Sequence, residues 1–204
     1  MGYPAGDGPG KPRLRFEQSL PMPTLHLRHL PGALALCLAG VLAHGAAAAD
    51  VSQRFYDAAL CQPPYTTASA TALYEAAEKL AKPDMSMLTA AVYALPKPIG
   101  RDGFDSNEVI FAGSSVGVLV QGEQADALAA RYKLQRESST LLGTSTKGYS
   151  RALPDAQQPL PDAGTVSIVA RESRGLPGKT LLACEFVSNA DRDALKAYEK
   201  SVNP

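Results

Sequence analysis

Residues 108–112 (EVIFA) and 115–121 (SVGVLVQ) alternate apolar and polar positions with period two. Only Gly113 and Ser114 separate the two runs. A two-residue link with glycine first suits a type II′ turn, so the pattern predicts a β-hairpin. Its register sets Ala112 opposite Ser115, Phe111 opposite Val116 and Val109 opposite Val118. Val109, Phe111, Val116, Val118 and Val120 then share one face. Gly117 falls opposite Ile110, where a strand glycine marks a bulge or a close approach.

The same reading extends along the chain. Residues 50–60 form a short helix with Phe55, Ala58 and Ala59 inward, broken by Pro63 and Pro64. Leu73, Ala76, Ala77 and Leu80 recur at helical spacing over 68–81, with Thr67 or Ser69 as cap and Pro83 as stop. Residues 85–96 read as a strand and 97–107 (KPIGRDGFDSN) as a loop. A helix with Ala125, Leu128, Ala129 and Tyr132 on one side follows Gly122, with Glu123 in its first turn. Residues 139–143 and 148–153 form a weaker strand pair, and the three prolines of 153–164 make that stretch a surface loop. Residues 165–172 and 179–188 are strong strands joined through 174–178. Ser188 and Asp191 make a capping pattern for a last helix, 189–202.

The order is α-α-β-β-β-α-β-β-β-β-α, with hairpin connections. It predicts a single small α+β domain, an antiparallel sheet with helices packed on one face and one disulfide. Strands and helices do not alternate, which argues against a doubly wound parallel sheet.

The first fifty residues follow a different rule. Residues 1–21 are rich in Gly and Pro and lack apolar periodicity, as a non-native or disordered extension would. From Met22, a start carrying His26, Arg28 and His29 leads into the apolar run 33–43 and then the alanines ending at Ala49. This is the layout of a secretory signal peptide over 22–49, cleaved after Ala49 or one residue earlier. The apolar run is shorter than the about 20 residues a membrane span needs. The domain then covers 50–204, and the protein is periplasmic. Of the 20 basic and 20 acidic residues, residues 1–49 account for four bases and two acids, which cleavage removes. A balance slightly acidic and free of charge blocks argues against nucleic-acid or anionic-membrane partners.

Cys37 leaves with the leader, so Cys61 and Cys184 remain and pair as a disulfide in an oxidising compartment. The histidines (His26, His29 and His44) also leave. A mature chain without histidine has no Ser-His-Asp triad, no Cys-His dyad and no His-ligated metal. This weighs directly on Gly113-Ser114-Ser115-Val116-Gly117, which matches the G-x-S-x-G pattern of a nucleophile elbow. That elbow needs a strand running into a helix, whereas here a strand runs into a strand. Residues 144–147 (TSTK) lack the S-x-x-K spacing of a Ser-Lys site. Asp102, Asp105 and Glu108 leave a carboxylate-based hydrolase open as an alternative, since glycosidases need only two carboxyl groups at the right separation. No catalytic, metal or cofactor site is assigned.

What remains is surface chemistry. Arg101, Asp102, Phe104 and Asp105 lie in the 97–107 loop, and Tyr149 and Arg151 flank another turn. Arg171 and Arg174 belong to a third, 171–179, which also carries Glu172, Leu176 and Lys179. Arg and aromatic side chains among charged neighbours are common anchors of protein interfaces. The arrangement of leader, single domain, two cysteines and protruding loops resembles that of periplasmic immunity proteins from bacterial toxin–immunity pairs. The resemblance implies a noncatalytic inhibitor whose loop occludes a toxin or an envelope hydrolase. A structural or assembly factor, homodimeric through a sheet edge, is the other alternative.

Overall fold

The computed structural model describes residues 42–87, 89–138 and 145–202. Two helices, α1 (Leu42–Ala59) and α2 (Thr67–Glu78), precede three strands, β1 (Ala90–Arg101), β2 (Phe104–Ala112) and β3 (Ser115–Gln121). Helix α3 (Ala125–Tyr132) follows. Then come β4 (Gln135–Arg136), β5 (Ser145–Ala152), β6 (Gly164–Ser173), β7 (Lys179–Ser188) and α4 (Asn189–Val202). The strands form one antiparallel sheet in the order β1-β2-β3-β7-β6-β5-β4. The fold is α+β, as the pattern predicts.

The β2–β3 hairpin has the expected register, with Phe111 opposite Val116 and Val109 opposite Val118. Gly113 has a positive φ of 54° at the turn. Ser115 spends its hydroxyl on the Ala112 carbonyl at 2.7 Å. Gly117 marks a close approach: a Cβ there would lie 2.7 Å from both the Leu182 carbonyl and the Ala183 side chain of β7. Glycine lets β3 and β7 pair tightly at this point.

One face of the sheet carries the main core. Val109, Val116, Val118, Val120, Val166, Ile168 and Leu182 meet Phe55, Tyr56 and Ala59 of α1, Leu73 and Ala77 of α2, and Leu128 of α3. Each large aliphatic side chain removed from water there contributes about 1.5–3 kcal/mol before conformational costs. The opposite face holds a smaller cluster of Ala90, Val92, Ile110 and Leu119, against which Met87, Leu176 and Leu181 pack. Cys61 and Cys184 are bonded, tying the end of α1 to the middle strand β7.

Several boundaries differ from expectation. Helix α1 begins at Leu42 rather than near residue 50. The cap of α2 is Thr66, whose hydroxyl and backbone exchange hydrogen bonds with Ser69, and the helix stops at Glu78. The first strand starts at Ala90, five residues late, while Asp84 pairs with Val92 as an isolated bridge. The 97–107 loop is instead a continuation of two strands. Arg101 pairs with Phe104 around Asp102 and Gly103, at φ 58° and 87°. An Asp-Gly pair with both φ values positive is the turn that matches strand twist, so the hairpin extends to its tip. On its outer side β5 pairs with the short β4; the expected strand 139–143 lies outside the described residues. Ser188 caps α4 as expected, accepting the Asp191 N–H at 3.0 Å.

Both sheet edges are poor templates for another strand. Pro96 and Pro98 interrupt the outer edge of β1, where neither can donate a backbone hydrogen bond. The other edge, β4, is two residues long. Among the described residues no helix is long and apolar enough to cross a membrane.

Candidate functional site

Helix α3 is the hub of the charged surface, and its ends explain how. Gly122, at φ 84°, turns the chain out of β3. Thr180 of β7 holds that turn, donating to the Gly122 carbonyl at 2.8 Å and accepting the Gln124 N–H at 2.7 Å. Glu172 of β6 accepts the Ala125 N–H at 2.9 Å, placing a buried carboxylate at the helix N-terminus. At the other end Arg151 of β5 donates to the Tyr132 carbonyl at 3.1 Å. An anion at the start and a cation at the end both oppose the helix dipole.

Two ionic clusters flank this helix. In the first, the β1–β2 tip meets its C-terminal turn. Asp102 accepts hydrogen bonds from Arg131 and, at 3.1 Å, from the Tyr132 hydroxyl. Arg131 holds the Asp102 carboxyl below the ordinary carboxylate range. Arg101 pairs with Asp57 of α1, reaches Gln62 at 3.3 Å and covers the Tyr56 ring. Burial pushes the Tyr56 hydroxyl above the usual phenol range. Phe104 packs on Tyr132, ring centres 6.3 Å apart.

In the second cluster, β5 meets the start of α3. Lys147 pairs with Asp126 at 2.7 Å, and the Tyr149 hydroxyl donates to the same carboxylate. Lys147 holds Asp126 below the ordinary carboxylate range, while Asp126 raises Lys147. Arg136 sits 5.4 Å from the centre of the Tyr149 ring. Charges of both signs and aromatic rings therefore alternate across one surface built from the β1–β2 tip, α3, β4 and β5.

Five of the residues singled out in the sequence meet there: Arg101, Asp102, Phe104, Tyr149 and Arg151. They are not free loop ends, since each is engaged by α1, α3 or its neighbouring strand. Asp105 and Arg174 are exposed and make no ion pair among the described residues. Arg171 is a correction. It lies within β6 at 9 % exposure rather than on a turn. Its guanidinium binds Glu185 through two hydrogen bonds of 2.9 and 3.0 Å and Glu137 through three of 2.8–3.2 Å. Burial disfavours its charge, but the two carboxylates outweigh that and hold Arg171 above its ordinary range. Glu172, expected on the same turn, is buried under α3. The three carboxylates considered for hydrolysis part company: Asp102 faces Arg131, and Glu108 pairs with Lys179 at 2.5 Å.

Sequence reading missed Asp57, Asp126, Arg131 and Arg136. Asp126 and Arg131 do stand in the first and last turns of an evident helix. Their partners are 21 and 29 residues away, a relation no local pattern encodes.

A separate cleft of about 490 Å³ opens between α2 and the far end of the first hairpins. Tyr65, Tyr74, Phe111 and Met85 line it together with threonine hydroxyls, and the Gly113–Ser115 turn forms part of its wall. Comparison with protein-family models, curated proteins and solved structures returns no match for this chain.

Proposed function

We propose that this chain is an exported, noncatalytic binding protein that docks a protein partner through the surface centred on α3. The observation that carries this reading is the convergence of Asp102, Phe104, Tyr149 and Arg151 on one short helix, with Arg101 next to Asp102 at the same hairpin tip and held by α1. Arginine and tyrosine are, with tryptophan, the residues enriched among interface anchors. Holding Arg101 in an ion pair, and Tyr149 and Arg151 in hydrogen bonds, before binding reduces the entropy that association would cost. The partner class suggested by the immunity-protein resemblance is a toxin or an envelope hydrolase whose active site this surface occludes.

Export is part of the same proposal. Cleavage after Ala49 would keep Phe55, Tyr56, Ala58 and Ala59, the residues by which α1 enters the core. The disulfide suits an oxidising compartment.

The test is photocrosslinking in intact cells of the source. A benzophenone side chain replaces Lys133, exposed at the end of α3, or Ala190, exposed on α4. The expected result is mature protein starting at Asp50 in the periplasmic fraction. A single protein adduct forms from position 133 and not from 190, and the purified pair shows inhibition of the partner's activity. Retention in the cytosol with an uncleaved leader overturns the export reading. Equal adducts from both positions, or none, overturn the docking surface.

A further inference from the structure

We infer that the cleft beside α2 is a binding site for an uncharged, mainly apolar small molecule. It is distinct from the α3 surface. The cleft lies at the Ala90 end of β1 and the ionic tip at the Arg101 end, about 30 Å apart along an extended strand. The inference therefore does not rest on the protein-docking reading.

Three observations carry it. The first is size: about 490 Å³ falls within the range of ligand clefts and exceeds what one inserted side chain would fill. The second is rigidity. Tyr74 and Phe111 meet edge to face at 5.3 Å, and both pack edge-on against the buried Tyr93 at 5.7 and 5.9 Å. Tyr65 is fixed from behind by stacking on Phe186, 6.4 Å between ring centres. Preformed aromatic walls do not need to be ordered when a ligand enters.

The third observation is charge. The described residues lining the cleft include no Asp, Glu, Lys, Arg or His. An ionised ligand desolvated here would meet no counter-charge, which strongly disfavours it. Among the described residues, no amide or carboxylate side chain lines the cleft to bind the many hydroxyls of a sugar. The polar complement comes from hydroxyl-bearing residues, Thr67, Thr71, Thr89, Tyr65, Tyr74 and Ser115 (whose hydroxyl bonds the Ala112 carbonyl), enough to orient a few hydrogen-bonding groups on an apolar body. Met85, a flexible apolar side chain, stands 62 % exposed at this cleft.

The experiment compares two probes sharing the same rings. N-phenyl-1-naphthylamine is neutral, and 1-anilinonaphthalene-8-sulfonate adds a sulfonate. Fluorescence titration of the full oxidised chain should show saturable binding of one neutral probe, with the sulfonate weaker by at least about tenfold. N-acetylglucosamine oligomers should not displace the neutral probe. Thr71→Arg places a cation in the cleft from an exposed helix position. It should weaken the neutral probe and strengthen the sulfonate, reversing the preference. Met85→Glu tests the same wall from outside the helix and should weaken both. Leu160→Ala, at an exposed apolar side chain outside the cleft, should leave both titrations unchanged. Circular dichroism verifies the fold of each variant. Absent saturation, equal affinity for the two probes, displacement by the glycan, or folded Thr71→Arg and Met85→Glu variants that bind like the original each overturn the inference.

Discussion

Replacing Arg171 with methionine removes the cation that, among the described residues, holds Glu137 and Glu185 together. Their side chains are 6 % and 22 % exposed beside it, so two carboxylates would remain largely out of water without a counter-charge. Breaking a buried ion pair in this way costs about 3–5 kcal/mol, a large part of the 5–15 kcal/mol by which a domain is usually stable. Glu137→Gln alone keeps Arg171 bound to Glu185 and should cost less, about 1–3 kcal/mol. The combination Arg171→Met, Glu137→Leu and Glu185→Leu removes all three charges at once and should return to within about 1 kcal/mol of the original. The assay is urea unfolding of the oxidised protein followed by far-ultraviolet circular dichroism, because the chain has no tryptophan to report. The argument fails if Arg171→Met costs under about 1 kcal/mol, or if the triple variant is as unstable as the single one.

Three other outcomes follow from the same structure. Replacing Cys61 and Cys184 with alanine opens a loop spanning 123 positions and should lower stability by about 5 kcal/mol, an effect that reductant on the original should reproduce in urea unfolding. Gly117→Val forces a side chain against the Leu182 carbonyl and should cost about 1–3 kcal/mol or more in thermal unfolding. Finally, carboxyl-carbon nuclear magnetic resonance should find Asp102 titrating below the ordinary carboxylate range and Arg131→Ala should return it upward. The sign is that of a depressed acid: its stabilisation is present above the unfolded carboxylate pKa and is lost as pH falls through the lower folded value.

Some of this molecule could be read from its letters. Alternation by two around Gly113-Ser114 forces the observed register, because a slip of one residue would turn every valine of that hairpin away from the core. The S-x-x-D pattern at Ser188 likewise specifies its own capping bonds. The Asp-Gly pair at the β1–β2 tip was also legible, but the prolines and glycine around it favoured a loop reading. In the structure Pro96 and Pro98 sit on an edge strand, where a missing N–H is tolerated.

By itself, then, the sequence determined the order of elements, the antiparallel hairpins and the cysteine pair, since these follow from local periodicity, turn residues and a count of two. Tertiary structure alone decided the fate of the charges. Arg171 and Arg174 stand three positions apart beside one turn, yet one is buried between two carboxylates and the other is exposed. The difference lies in Glu137 and Glu185, which only strand pairing brings alongside β6. The same holds for α3, whose ionic partners arrive from 21 and 29 residues away. A side chain's periodicity says which way it points from its own strand; which charge it meets depends on what the folded sheet places beside it.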